Sequence, residues 1–237
     1  MNDQTEKLSP RLEYSFILAV GSLILFTGIF PSFLAGVGNA LPQWVLLLLL
    51  TLPIQFGNIA SCVIPARHFC PEEPLDSVLD LKLPGIQDFR RIIPGTLGVY
   101  VTLALLTGAT VFTLQKVGIR PQEQMAVEIL RGGSPLLTGI LIPVTVILAP
   151  LGEELCFRHA IYKKLEFHFG PTRATWITAM IFAAAHLNLQ VFPALFLLSI
   201  WLTALYRRTG SLLAAVIAHA QFNTMTIVLI LLTGAQK

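Results

Sequence analysis

Three ionisable side chains follow directly on an uncharged run, in the sequence Pro150-Leu-Gly-Glu153-Glu154-Leu-Cys-Phe-Arg158. A carboxylate at bilayer depth costs on the order of 2.5 kcal/mol or more, so two adjacent ones at the end of such a run indicate a function. On a helix, Glu154 and Arg158 are four residues apart on one face and are expected to form an ion pair. Glu153 lies about 100° around the helix from Glu154. It is left without a partner, which makes it a candidate functional carboxylate.

Two further clusters interrupt apolar stretches with groups that can do chemistry. One is Phe182-Ala-Ala-Ala-His186, and the other is His219-Ala-Gln-Phe-Asn223. The four-residue spacing of His219 and Asn223 places both side chains on one helix face. If the helix that carries Glu153 runs on to Gly170-Pro171, then Glu153, His186, His219 and Asn223 all fall in the cytoplasmic-to-middle zone of the bilayer core.

A carboxylate, two imidazoles and an amide at one depth fit the activation of water as a nucleophile. The carboxylate accepts a proton, a histidine shares the water or donates to the leaving amine, and His plus Asn hydrogen-bond a developing oxyanion. A second arrangement is open to the same residues, in which Glu153, His186 and His219 bind a zinc ion that acidifies the water. Taken singly, each histidine is more often a hydrogen-bonding residue between packed helices. Glu154 with Arg158 is expected to support the site structurally.

Composition predicts the elements that must position these groups. The chain has 237 residues, 54% of them hydrophobic and only 12% charged, which is typical of an integral membrane protein. The apolar runs are near 20 residues long, so we expect an all-α, polytopic bundle of about seven transmembrane helices. These spans are predicted at about 14–36, 43–65, 93–115, 136–168, 173–189, 191–206 and 212–234. We predict one integral membrane domain over 1–237, with a catalytic core region at 136–231.

Charge sets the expected orientation and excludes one class of partner. Twelve of the 16 Lys and Arg residues fall on the side of the N-terminus, so we expect the N-terminus in the cytoplasm. A net charge of +3 is too small for nucleic acid to be a partner. The three cysteines have no metal-ligand or disulfide spacing and are interpreted as structural.

Two polar segments connect the predicted spans. Residues 66–92 form the larger one, which could be a substrate-entry loop but is better interpreted as a solvated connector with a short amphipathic piece around Leu79 to Leu83. Residues 117–134 contain a short amphipathic helix that Gly132-Gly133 is expected to end.

The ordered set Glu-Glu-x-x-x-Arg, Phe-x-x-x-His and His-x-x-x-Asn resembles a family of intramembrane peptidases. That family comprises the CAAX prenyl proteases of the Rce type and bacteriocin-processing or immunity proteins, and the resemblance covers about 136–231. It implies Glu153 as the base that activates water, His186 as its partner, and His219 and Asn223 as oxyanion stabilisers. Glu154 and Arg158 are then supporting residues. The chain departs from the family at one place, where His159 follows the motif arginine instead of glycine.

The resemblance implies an endopeptidase that acts on a membrane-associated protein or peptide, in the cell membrane of a bacterium. The sequence lacks the H-E-x-x-H, Gly-x-Ser-Gly and Gly-x-Gly-Asp patterns of other intramembrane proteases. Two alternatives from other classes stay open. One is a transporter that uses the buried Glu, Arg and His as a proton or ion path, and the other is a non-catalytic scaffold that binds peptides or partner helices.

Overall fold

A computed structural model of the protein describes residues 8–36, 41–120, 125–132 and 135–234. Throughout these ranges the secondary structure is helical and contains no strand, which confirms the predicted all-α class. The helices are α1 (Pro10–Ala35), α2 (Gln43–Phe69), α3 (Leu75–Val78), α4 (Ile86–Lys116), α5 (Met125–Gly132), α6 (Pro135–Ala185), α7 (Phe192–Thr209) and α8 (Leu212–Gly234).

Five of these helices are long and apolar enough to cross a membrane, namely α1, α2, α4, α6 and α8. The predicted count of seven is therefore not confirmed. Part of the difference lies in α6, whose 51 residues include the fourth predicted span and most of the fifth. The sixth predicted span corresponds to α7, which has 18 residues and ends in Arg207 and Arg208, so it is not one of the five.

Helix α6 consists of two arms that meet at Gly170. The backbone there has φ 75° and ψ 167°, a conformation that glycine adopts readily and that ends the helix, and Pro171 begins the next arm. We call residues 135–169 the first arm and residues 171–185 the second arm. The expected end of the Glu153 helix at Gly170-Pro171 is thus observed.

The first arm differs from the uniform α-helix that we predicted, because it contains two π-helical segments at Val144–Leu148 and Leu155–Tyr162. In a π-helix each backbone hydrogen bond spans one residue more than in an α-helix, so backbone carbonyls lose their usual partners four residues on. Side chains from other helices take two of these carbonyls. Cys62 on α2 donates to the oxygen of Leu155 at 3.3 Å, and Asn223 on α8 donates to that of Thr145 at 2.9 Å.

The N-terminal helices pack against the first arm at the level of the glutamates. Helix α2 contacts both α1 and residues 149–162. At Gly152 a Cβ atom would lie 2.7 Å from Gln55 Oε1 and 3.0 Å from the Gln55 backbone oxygen. Only glycine allows the two backbones this approach, and it places α2 beside the residue that precedes Glu153.

The C-terminal helices complete the core from the other side. Helix α7 packs against the second arm, α4 and α8, and α8 packs against α4 and residues 144–154. The side chains at the centre of this core are fully or almost fully buried, and they include Phe157, Tyr162, Phe182, Leu198, Leu202 and Leu212. The two arms of α6 and helix α8, which position the predicted site residues, therefore share one core.

The polar segment 66–92 is more ordered than a solvated connector. Its short helix is Leu75–Val78, earlier than the predicted amphipathic piece, and Leu79 is only 1% exposed while Leu83 is 80% exposed. In the second polar segment, α5 corresponds to the C-terminal part of the predicted amphipathic helix. The Gln-Glu-Gln that begins that prediction, and Gly133, lie outside the described residues.

Candidate active site

Glu153, His186 and His219 converge on one point between the first arm, the second arm and α8. Atom Oε2 of Glu153 lies 4.0 Å from His186 Nε2 and 3.8 Å from His219 Nε2. Within the described residues no group donates a hydrogen bond to this buried oxygen. Each separation is short enough for one water molecule to bridge the carboxylate and an imidazole.

Both imidazole rings are held by their other nitrogen. His186 Nδ1 lies 2.8 Å from the backbone oxygen of Phe182, and His219 Nδ1 lies 2.8 Å from Glu154 Oε1. Because a carbonyl can only accept a hydrogen bond, His186 carries its proton on Nδ1. A carboxylate likewise accepts from His219 Nδ1. The Nε2 atoms are therefore left free to act on the same point as Glu153.

Glu154 and Arg158 form the expected ion pair, at 3.0 Å with both side chains fully buried. The guanidinium group also donates to the backbone oxygen and hydroxyl of Ser199 on α7, at 3.1 and 2.9 Å. Glu154 thus has two partners, Arg158 and His219, where the sequence predicted one. The carboxylate connects the first arm to the histidine of α8, while Arg158 connects it to α7.

The ring of Phe182 contacts Arg158 and both imidazoles of the site. The Arg158 guanidinium carbon is 4.9 Å from its centroid, in cation–π range, and the His186 and His219 rings are 4.8 and 6.0 Å away. This arrangement gives the first residue of the Phe-x-x-x-His motif a physical role. The phenylalanine packs against the buried guanidinium and against both imidazoles.

Asn223 is engaged differently from the other three predicted residues. Its side-chain NH₂ donates to the Thr145 carbonyl, which lies in the first π-helical segment. A primary amide has two N–H groups, so one remains for another acceptor. The structure thus joins Asn223 to the first arm, on the helix that carries Glu153.

The donor types of the site suit zinc, but their spacing does not. Imidazole Nε2 atoms with Nδ1 held by a carbonyl or carboxylate are common zinc ligands. Tetrahedral ligands at about 2.0–2.1 Å from zinc stand about 3.3 Å apart, whereas the separations from Glu153 Oε2 are 3.8 and 4.0 Å. Across the described part of the chain, no group of three or more His, Cys, Asp or Glu side chains is arranged to hold a metal ion. As positioned, Glu153, His186 and His219 suit a bridging water better.

Two residues that contact Arg158 or its neighbour His159 were not predicted from the sequence, namely Ser199 and Asp80. Ser199 could have been noticed, because it is one of few polar residues in the apolar sequence FPALFLLSIWLT. Asp80 gave no such signal, since a single acidic residue in a polar segment is usually solvated. It lies 3.4 Å from the Nδ1 atom of the buried His159, the residue that departs from the family pattern.

Comparison with known proteins gives one match. Residues 135–225 match the family model described as type II CAAX prenyl endopeptidase Rce1-like. No curated protein and no solved structure matches the chain. The matched range contains Glu153, Glu154, Arg158, His186, His219 and Asn223. Together with the five apolar helices, the match identifies an integral membrane protein. Residues 135–225 form a domain of the Rce1-like type II CAAX prenyl endopeptidase family, which is a family of intramembrane proteases.

Proposed function

We propose that the chain hydrolyses a peptide bond of a membrane-associated protein or peptide, with water activated by Glu153. The observation that carries this proposal is the approach of two Nε2 atoms, from His186 and His219, to within 4.0 and 3.8 Å of one buried oxygen of Glu153. Glu153 Oε2 and the His186 Nε2 atom can hold one water in a fixed orientation, which a general base and its partner require, and this leaves His219 Nε2 for the oxyanion.

The path of each water proton follows from which nitrogen and oxygen atoms can accept a hydrogen bond. Neutral His186 accepts a hydrogen bond from the water through Nε2, because its proton is on Nδ1. Glu153 takes the other water proton while the water oxygen attacks the carbonyl carbon. When the carbon–nitrogen bond breaks, the protonated Glu153 returns that proton to the leaving amine, so the carboxylate is regenerated.

His219 and Asn223 stabilise the oxyanion in this proposal. His219 donates through Nε2 only in its doubly protonated form, in which Glu154 accepts the Nδ1 proton. Asn223 contributes the N–H that is not used on Thr145. Removal of one such donor typically lowers kcat by about 10²- to 10³-fold.

Access to the site favours a substrate that approaches along Glu153 and His186. Their side chains are 16% and 26% exposed, whereas that of His219 is 5% exposed.

We propose that the protein lies in a bacterial cell membrane. The excess of basic residues on the side of the N-terminus indicates that the N-terminus is in the cytoplasm.

Peptide release from liposomes tests the proposal. Purified protein is reconstituted with a farnesylated peptide that ends in a CAAX sequence, and the released C-terminal fragment is measured. Glu153→Gln keeps the size of the side chain but removes the base, so release should fall by about 10²-fold or more. Glu73→Gln is the matched control, since Glu73 is exposed in the polar segment. Full release by Glu153→Gln would refute the proposed base.

A chelator separates the two ways of activating water. If Glu153 acts directly on water, release should continue after dialysis against EDTA and 1,10-phenanthroline. Loss of release on dialysis, restored by added zinc, would show that the three side chains move together to bind a metal ion. If the wild-type protein releases no fragment from prenylated or unprenylated peptides, the non-catalytic scaffold becomes the better interpretation.

A further inference from the structure

Residues 75–82, which we call the anchor segment, are fixed against the ends of several helices. Val78 and Leu79 are buried in the main core. The Arg11 guanidinium on α1 donates to the Val78 oxygen at 2.8 Å, and the Ser211 hydroxyl donates to the Lys82 oxygen. This segment precedes the matched domain in the chain, yet it packs into the same core.

Asp80 makes the contacts that join the anchor segment to the helices of the site. Its carboxylate accepts from the Lys163 ammonium and, at 2.7 Å, from the Tyr206 hydroxyl. Its backbone oxygen accepts from the amide of Leu212 at 2.8 Å. The residue has φ 56°, in the left-handed region where aspartate and asparagine are several-fold enriched.

Two of these partners, Lys163 and Leu212, belong to helices that carry site residues. Lys163 is ten residues beyond Glu153 on the first arm, and Leu212 begins α8 seven residues before His219. At about 1.5 Å per residue the interval on α8 is about 10 Å of helix, and that on the first arm is at most about 15 Å, because most of it is π-helical. Such short helical intervals move nearly as rigid bodies, so a shift of either helix end at Asp80 is carried to the glutamates and histidines.

We propose that Asp80 is a positioning residue that sets the axial position of α8 relative to the first arm of α6. The distances that depend on this position are the 2.8 Å from His219 Nδ1 to Glu154 and the 3.8 Å from His219 Nε2 to Glu153. For a contact that runs across the helix axis, an axial slip of about 2 Å would lengthen the first to about 3.4 Å, beyond the usual hydrogen-bond range. The catalytic consequence rests on the proposed function, whereas the effect on helix position does not.

The chain offers a closely matched control for Asp80. The next lysine along the first arm, Lys164, pairs with Glu13 on α1. Helix α1 carries none of the predicted site residues. Asp80→Asn and Glu13→Gln each remove the carboxylate charge that pairs with one of two consecutive lysines. Only Asp80→Asn loosens the first arm and α7 from the segment whose backbone oxygen holds Leu212 of α8. Asparagine also tolerates the left-handed backbone, so Asp80→Asn adds no strain.

The kinetic arm uses the liposome assay with a saturating series of the farnesylated peptide. We expect Asp80→Asn to lower kcat by about tenfold or more with KM within twofold of wild type, the signature of interactions made in the transition state. Glu13→Gln should keep kcat within twofold. Equal falls in kcat for the two variants at equal losses of Tm would overturn the proposal, because they would show a general effect of stability.

A second arm needs no activity. Spin labels are placed at the exposed positions Phe167 on the first arm and Val228 on α8, in a Cys70→Ser background, and pulsed EPR measures their separation in nanodiscs. Asp80→Asn should shift or broaden the distance distribution by about 2 Å, and Glu13→Gln should leave it unchanged. A distribution for Asp80→Asn identical to wild type would overturn the positioning role. If the wild type cleaves nothing, the proposed function fails and this measurement still decides the role of Asp80.

Discussion

Replacement of Glu154 by alanine tests how the site is supported. Glu154 and Arg158 are both fully buried and lie 3.0 Å apart. Removal of one partner of such a pair leaves an uncompensated charge, at a cost of about 3–5 kcal/mol. Arg158 keeps two acceptors on Ser199 and the face of Phe182, so the lower figure applies here.

A loss of about 3 kcal/mol in the free energy of unfolding corresponds to about 6–12 °C in Tm for a chain of this size. The assay is thermal unfolding of purified Glu154→Ala in detergent, followed by tryptophan fluorescence. Peptide release should fall by more than the loss of folded protein explains. The reason is that His219 loses the carboxylate that holds its Nδ1 atom.

Two comparisons separate this account from a nonspecific effect. The double variant Glu154→Leu/Arg158→Leu removes both charges and should be closer in Tm to wild type than Glu154→Ala, since replacing a whole buried pair is often neutral. Exchange of the two charges should not restore stability, because an arginine at 154 would face His219. A Tm for Glu154→Ala within about 1 °C of wild type would mean that Arg158 reaches solvent, and would refute the buried pair.

Other changes give independent checks. Gly152→Ala should lower Tm by several degrees, because the added Cβ would lie 3.0 Å from the Gln55 backbone oxygen and overpacking costs about 1–3 kcal/mol. A Tm equal to that of wild type would mean that α2 can move away from the first arm. Asn223→Ala should lower both Tm and peptide release, since the Thr145 carbonyl loses its donor at a cost of about 1–3 kcal/mol; loss of release alone would leave only a catalytic role. Burial alone would raise the pKa of Asp80, but the neighbouring imidazole, ammonium and hydroxyl donors outweigh it and hold the pKa below its ordinary value. The stability that this carboxylate contributes is therefore complete above about pH 4 and is lost in more acidic solution. The difference in Tm between wild type and Asp80→Asn should thus be constant from pH 6 to 8. A difference in Tm that varies over this range would contradict the lowered pKa.

Local patterns predicted much of the helical framework and one of the site's contacts. The apolar runs indicated the helices, and Gly170-Pro171 indicated where the first arm ends. The four-residue spacing of Glu154 and Arg158 predicted their ion pair, because it depends on one helix only. Similar depth in the bilayer also indicated that Glu153, His186 and His219 meet, although their catalytic roles, the single domain and the cytoplasmic N-terminus stay predictions.

Contacts between helices were harder to predict. The contact between Glu154 and His219 depends on how α8 is rotated about its own axis. The sequence of the first arm contains no information about that rotation. The anchor segment has the polar composition of a solvated connector, and its order comes from partners more than 60 residues away in the chain. The number of spans was uncertain for another reason. Helix α7 is short and ends in two arginines, so its composition does not decide how far it enters the bilayer.

The π-helical segment Leu155–Tyr162 makes the length of the first arm as important as its side chains. Glu154 lies just before this segment and Lys163 just after it. The π-helical turns between them therefore set the angle about the helix axis between the two side chains. Loss of a single residue from this segment would rotate one side relative to the other by roughly a quarter of a turn. Either the glutamates would turn away from His219 or Lys163 would turn away from Asp80. A one-residue deletion here is thus expected to be tolerated less well than most substitutions, even though no residue of the catalytic set is removed.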